Sequence, residues 1–484
     1  MTTVSSGQTV TVSSGQTDSG VTVSGGTLRV LNGGSAADTS VLAGAALISS
    51  GGTATGTVIS GGSLTVSSGG VASTTTVSAH GTFTIVGADD TGTVVDGGIV
   101  YLGLGVSTDA VVNVGSYYVD GSATAVDGTY NGGYVDVLRG GIVSGGVVNS
   151  RGRMTIDRFG SATGLTVSRG GALTISAFGS AGRITVETGG RLTVGFEADF
   201  VASSGTTVAS AYVMAGGEIV FAGGEVDTLT VAVGGGIGVA SGATLSGLTV
   251  SSGIPLGVAS GATVSAIDVK SGGLIIYEGG SGSDVTLEAG AIEGVARATI
   301  SGLTVRAGTT FEVLSGGSAA EVTVLDGGKA VVGGVYFDHA VATETVVSQG
   351  GNLYVRSGGT VEGATISNGG RLTLQGGSAS DITEVGNGAI VVGENASLTL
   401  ASGTVIENVI VSKGGNIILA GGHADNLTVE SGALETVESG STLSGLTLAK
   451  GATLTVISGG ETFGTIVSGG TEFVGTGGTE TGAR

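Results

Sequence analysis

Apolar residues in this chain come in short alternating runs that return at a fixed interval. Between residues 164 and 194, Leu165-Thr166-Val167 returns as Ile184-Thr185-Val186, and Leu173-Thr174-Ile175 returns as Leu192-Thr193-Val194, nineteen residues later in both cases. A glycine pair, Gly170-Gly171 or Gly189-Gly190, introduces each second run. Period-two alternation puts one set of side chains on each face of a strand, so the pattern predicts strand, glycine turn, strand, glycine turn. The last residue of the first strand recurs as Val23, Val41, Ile59, Val77 and Val95, eighteen residues apart. The same marker continues at Val148, Val167, Val186, Val213, Val231 and Val250, and later at Val347, Ile366, Val385, Val411 and Val429. Self-similarity at this period is the signature of a stacked repeat.

One repeat cannot fold alone. Its four to six inward side chains contribute roughly 1.5 to 3 kcal/mol each on burial, while ordering each backbone residue costs about 1 to 2 kcal/mol. Stacking supplies the difference, because each strand then hydrogen-bonds to the repeats above and below. The predicted fold is all-β: a single right-handed parallel β-solenoid (β-helix) of about 25 rungs with 18–19 residues per rung. The array is expected to run continuously over residues 1–474, followed by a polar tail at 475–484. Period-breaking insertions are expected near 116–135, 195–212, 333–345 and 393–408. The third of these holds Tyr336, Phe337, Asp338 and His339.

Composition agrees with strand. Of 484 residues 100 are Gly, which disfavours helix, and the remainder is rich in Val, Ile, Leu and Thr. There is one Pro, Pro255, and no Cys or Trp, so disulfides and thiolate metal sites are excluded. The formal charge of -21 argues against nucleic acid or anionic lipid as partners. No apolar window is long enough to span a membrane as a helix. The start lacks the basic and apolar regions of a secretory signal, so either a signal has been removed or export uses another route.

Candidate chemistry is sparse. No GxSxG or HExxH occurs, and His80, His339 and His423 stand apart in sequence. Glycine is so frequent that a GxGxxG match means nothing without a strand-helix context. The segment GGSGSDVTL, Gly279 to Leu287, has the frame of a calcium nonapeptide but Thr286 in an apolar position. The triplets at Asn395 and Asn426 match the N-glycosylation signal, which carries weight only in a matching secretory pathway. Asp227, Asp284, Glu321, Glu362, Asp381, Glu407 and Asp425 all fall just before a first strand. The pairs Glu362/Asp381 and Glu407/Asp425 are spaced to stack on neighbouring rungs. Such acids are either turn residues kept in solvent or a shallow ladder for Ca²⁺ or Mg²⁺. Four tyrosines in the first break, Tyr117, Tyr118, Tyr130 and Tyr134, either fill a widened rung or stack on a sugar. Acids projecting from a β-helix can also cleave polysaccharides, but these lack basic partners at the turns.

The segments VTVSGGTLRVLNGGSAADTSV (Val21 to Val41), GLTVSRGGALTISAFGSA and TVLDGGKAVV resemble the strand-loop-strand repeats of AIDA-type adhesin autotransporter passengers. The resemblance extends over almost the whole chain. It implies a secreted or surface-exposed solenoid of Gram-negative bacteria acting in adhesion, self-association or biofilm formation, with outward Ser and Thr such as Thr166 or Ser168 as sugar acceptors. No translocator barrel follows the repeats, so an excised passenger or a member that reaches the surface by another route is expected; no capping element closes the ends, which predicts head-to-tail stacking into filaments. The functional expectation is therefore a non-enzymatic extracellular solenoid whose partners are itself and cell-surface glycans, with no cofactor other than Ca²⁺. A glycan-binding adhesin and a polysaccharide lyase or hydrolase are the alternatives.

Overall fold

A computed structural model describes residues 2–157, 159–176, 178–334 and 339–484. The described chain has no helix and is 57% strand, in parallel stacked coils that make a β-solenoid of about 26 turns. Two compact units, Met1–Thr244 and Leu245–Arg484, are built from the same coil.

Each coil has three strands where two were expected. In the first unit Arg153–Ile156, Ser161–Thr163 and Thr166–Val167 make one coil, and Ala172–Ile175, Ser180–Gly182 and Thr185–Val186 the next. The missed strand mostly carries one small inward residue, so its alternation is faint, although Val143 and Phe200 stand in the same column. Its register nevertheless runs Ala36, Ala54, Ala72 in one stretch and Ala125, Val143, Ala162, Ala181 in another. The other two faces stack like on like: Met154 on Leu173 on Leu192, and Val148 on Val167 on Val186. All of these are buried.

The corner before the third strand explains much of the sequence. Gly20, Asp38, Gly56, Thr74, Gly92, Asp109, Asp127, Gly145, Gly164 and Arg183 hold φ between 49° and 73° in successive coils. In this conformation Gly20 N–H donates to Ala37 O, Asp38 N–H to Thr55 O and Gly56 N–H to Ser73 O, at 2.9 to 3.0 Å. Glycine adopts it without cost, and Asp and Asn tolerate it better than other residues. Just past this corner Thr39, Thr57, Thr75 and Thr93 form a buried column.

Several register expectations are corrected. Residues 116–135 do not form an insertion: Val100 pairs with Tyr117 and Tyr117 with Val135, so aromatics replace aliphatics at unbroken spacing. The break at 195–212 adds residues only at one corner. Val186 pairs with Val208, while Val194 pairs with Val213, so the Val213 marker belongs to another strand. Near 393–408 the long strand keeps its spacing, with Ile390 opposite Val409. Glu384, not Val385, sits opposite Ile366, and Val385 is exposed. The break at 333–345 is an insertion after Val332, since Ala319 pairs with Ala342; Tyr336, Phe337 and Asp338 lie outside the described residues. The expected tail at 475–484 instead contains the strand Thr479–Thr481, paired with Glu461–Phe463, and Arg484 N–H donates to Thr465 O.

Close stacking sets a size limit at the corners. A Cβ on Gly190 would lie 2.5 Å from the Val167 carbonyl oxygen of the coil below. Backbone cannot move aside there without breaking inter-coil hydrogen bonds. Gly190→Ala is therefore expected to destabilise the first unit by about 1 to 3 kcal/mol, read as a fall in melting temperature. A variant that melts with the parent would show that the coils are looser than this spacing.

Candidate functional site

Inward polar groups are few and conspicuous. Asp90 takes the place of alanine in the Ala36–Ala54–Ala72 column and is 1% exposed. Thr93 Oγ1 donates to its Oδ1 at 2.8 Å and Ser107 Oγ to its Oδ2 at 2.9 Å. Burial pushes its carboxyl up to about 6, and these two donors oppose the rise. In the second unit Glu435 lies between Ile417 and Leu454 in the core register, 1% exposed, and neither carboxylate oxygen has a hydrogen-bond partner. Burial pushes it up to about 8.

The tyrosine expectation is half overturned. Tyr117 and Tyr130 are both 0% exposed, as is required at in-register core positions, and cannot touch a glycan. Desolvation is the main reason that both phenols are held well above 10. Tyr118 points outward and stacks on Tyr101, with ring centres 5.2 Å apart. Tyr134 is 56% exposed, and the Arg153 guanidinium lies 5.9 Å from its ring centre.

The acids are exposed but do not form one ladder. Asp284, Glu321 and Asp381 occupy the positive-φ corner, at 53° to 54°. Glu362, Glu407 and Asp425 lie one residue before it. Glu362 is therefore opposite Ser380 rather than Asp381, whereas Glu407 does stack opposite Asp425. Asp227 follows a strand, its N–H donating to Val208 O. Among the described residues no three of His, Asp or Glu come together in a group able to hold a metal ion. His423, isolated in sequence, has Nε2 2.9 Å from Asp425 Oδ1.

Three outward features escaped the sequence reading. An amide ladder climbs four coils: Asn149 Nδ2 donates to Asn131 Oδ1, Asn131 Nδ2 to Asn113 Oδ1 and Asn113 Nδ2 to Asp96 Oδ1, each at 2.8 Å. At another corner Phe159 and Phe178, 64% and 55% exposed, stack with centres 5.3 Å apart. Both adopt left-handed backbone, φ 70° and 68°, where Gly140 stands one coil below.

The third is a groove of about 680 Å³ on the long-strand face of the first unit. In register, Tyr134, Arg153, Ala172 and Arg191 form one column, and Thr155, Thr174 and Thr193 the column beside it. Ala172 leaves a gap between the two arginines, and the threonines make the floor. Arg151 closes one side from the corner at φ 72°, in the column that Gly170 and Gly189 continue. No carboxylate lines the groove. Sequence held a signal for it: seven arginines fall between residues 139 and 191 against only Asp157 and Glu187, a surplus of five positive charges in a chain of -21.

No protein-family model matches the chain, and no curated protein does. Among solved structures it is similar to a TibC-catalysed, hyper-glycosylated TibA fragment, at 23% identity over 74% of this chain and 100% of that one, with a TM-score of 0.22. It is also similar to the PL6 family alginate lyase AlyGC, at 10% identity over 99% of this chain and 97% of that one, with a TM-score of 0.17. Likenesses this distant do not bear on activity.

Two outcomes follow from the geometry. A carboxyl whose folded value is raised favours the fold while protonated, so Glu435's contribution is fully present below about 4.5 and lost as pH rises through about 8. Glu435→Leu, matching Leu454, is expected to flatten that decline and to raise the melting temperature at pH 8.5 by several degrees. An unchanged pH profile would mean that the carboxylate is solvated. At the aromatic corner, left-handed backbone costs a non-glycine residue roughly 1 to 2 kcal/mol, and a ring pair returns about 0.5 to 1.5 kcal/mol. The double variant Phe159→Gly, Phe178→Gly releases two such costs, about 2 to 4 kcal/mol, against one ring pair and roughly 1 to 2 kcal/mol of added unfolded-chain entropy. It should therefore melt at or slightly above the parent, and a large fall would show that the rings hold the corner.

Proposed function

We propose that the chain is a non-catalytic, extracellular β-solenoid that works by surface attachment and self-association. The observation that carries this reading is the repetition of outward groups in strict register. Thr166 stacks on Thr185 and Thr185 on Thr207, while Thr155, Thr174 and Thr193 repeat on another face. A hydroxyl and methyl presented once per coil give a contact that is weak singly and strong when many engage together. The resemblance of the repeats to AIDA-type passengers points the same way. Thr166 and Ser168 are partly exposed, as a sugar acceptor requires.

Displayed on cells that do not otherwise clump, the chain is expected to cause sedimentation of the culture and retention on abiotic surfaces. Cells that stay dispersed and wash off like the undecorated control would remove the proposal. Incubation with acidic polysaccharides tests the enzymatic alternative, and no new reducing ends or unsaturated products are expected.

A further inference from the structure

We propose that the groove formed by Tyr134, Arg151, Arg153 and Arg191 binds a linear anionic polysaccharide. The inference stands on the groove itself and does not require the attachment reading above. Its first support is charge. The three arginines make no ion pair among the described residues, and no acid lines the cavity, although acids outnumber bases in the chain 38 to 17. Asp136, opposite Thr155 one coil below, and Asp157 stand at one end of the groove, but its lining holds no carboxylate, so the exposed guanidinium groups present their forks to an external anion. Planar guanidinium matches carboxylate or sulfate through paired hydrogen bonds.

Shape gives the second support. Arg153 and Arg191 are two coils apart, roughly 10 Å at the usual strand spacing. A small anion cannot reach both, but a chain with an acid group on separated residues can. The floor of Thr155, Thr174 and Thr193 offers hydroxyls at each coil for sugar hydroxyls. Tyr134, exposed at one end, supplies a flat face of the kind on which a pyranose ring rests. Such a shallow, polar groove differs from the enclosed apolar pockets that take small molecules.

Charge density decides against nucleic acid. Duplex DNA carries one charge per about 1.7 Å, so the acidic remainder of the chain would repel it along its length. A polyuronate, with one carboxylate per sugar, is charged more sparsely than the duplex and can place its acids on the arginines. Arg151 adds a local argument, because it accepts a left-handed backbone that Gly170 and Gly189 adopt freely. Holding arginine there strains the backbone and places its side chain in the groove lining.

The test uses the purified full chain, titrated with polygalacturonate oligomers, dextran sulfate, neutral dextran, single-stranded DNA and phosphatidylserine vesicles. Binding to one or both acidic glycans, weakened by salt, and none to neutral dextran is expected; the tighter of the two identifies carboxylate or sulfate as the recognised acid. Arg153→Ala with Arg191→Ala should weaken binding roughly ten- to hundredfold. Ala172 at the same register position shows that the fold accepts alanine there. Arg151→Gly, which restores the corner residue of the next coils, and Tyr134→Ala should each weaken binding, while Arg29→Ala, exposed and outside the groove, should leave it unchanged. Failure of both acidic glycans to bind, or undiminished binding by the double variant, overturns the proposal. So does equal binding of DNA or vesicles lost with the same arginines, which would assign the groove to phosphate. A chain that binds the glycan but does not clump cells removes only the attachment reading.

Discussion

Every residue of a parallel coil must satisfy the coil above and the coil below at once. Inter-coil hydrogen bonds run across the strands, along the stacking axis, so a one-residue slip would turn every inward side chain outward. This single constraint accounts for the long columns of Val, Leu and Ile, for the small residues on the third face, and for corners where the backbone repeats positive φ. It also explains why Tyr117 and Tyr130 are swallowed without an insertion. Their neighbours Val100, Val135, Val112 and Val148 hold the register, and the Tyr130 ring occupies space left by Gly128, where an added Cβ would run into its hydroxyl.

The same constraint makes interior polar groups informative. Asp90 is tolerated because Thr93 and Ser107, three residues and one coil away, both donate to it. Glu435 has no such donors, and its neutral form is correspondingly favoured. Two inward acids at comparable burial thus differ by what the adjacent coil supplies. Placement within a column, rather than residue type, sets the energetic consequence.

The backbone was largely legible from periodicity, because hydrophobic alternation and glycine pairs report directly on strands and corners. What escaped was whatever had a weak side-chain signature. The missed strand, Ser161–Thr163 and its equivalents, shows mostly alanine against a background of serine and threonine. Corner acids such as Asp284, Glu321 and Asp381 read as a ligand pattern because their spacing is regular, yet the spacing reflects a backbone conformation that Asp tolerates. Glu362 and Asp381, nineteen apart, miss each other by one position because the coils repeat every eighteen residues here, which leaves Glu362 one residue before the corner that Asp381 occupies. Aromatic count likewise drew attention to the first break, where half of the tyrosines are core. The arginine surplus at 139–191 was plain in the sequence but becomes a groove only once register sets Arg153 and Arg191 on one column with Ala172 between them.

A solenoid separates its tasks by face. Inward positions are bound to the register and can vary little; outward positions are nearly free of it and can change coil by coil. Local chemistry can therefore differ sharply from the average, and the mean charge of -21 is a poor guide to any one face. At physiological salt the screening length is about 8 Å, less than the rise of two coils. Charges several coils away are then largely hidden from an anion at Arg153 and Arg191, whereas the arginines themselves act at contact distance. An acidic protein can in this way carry a basic groove without contradiction.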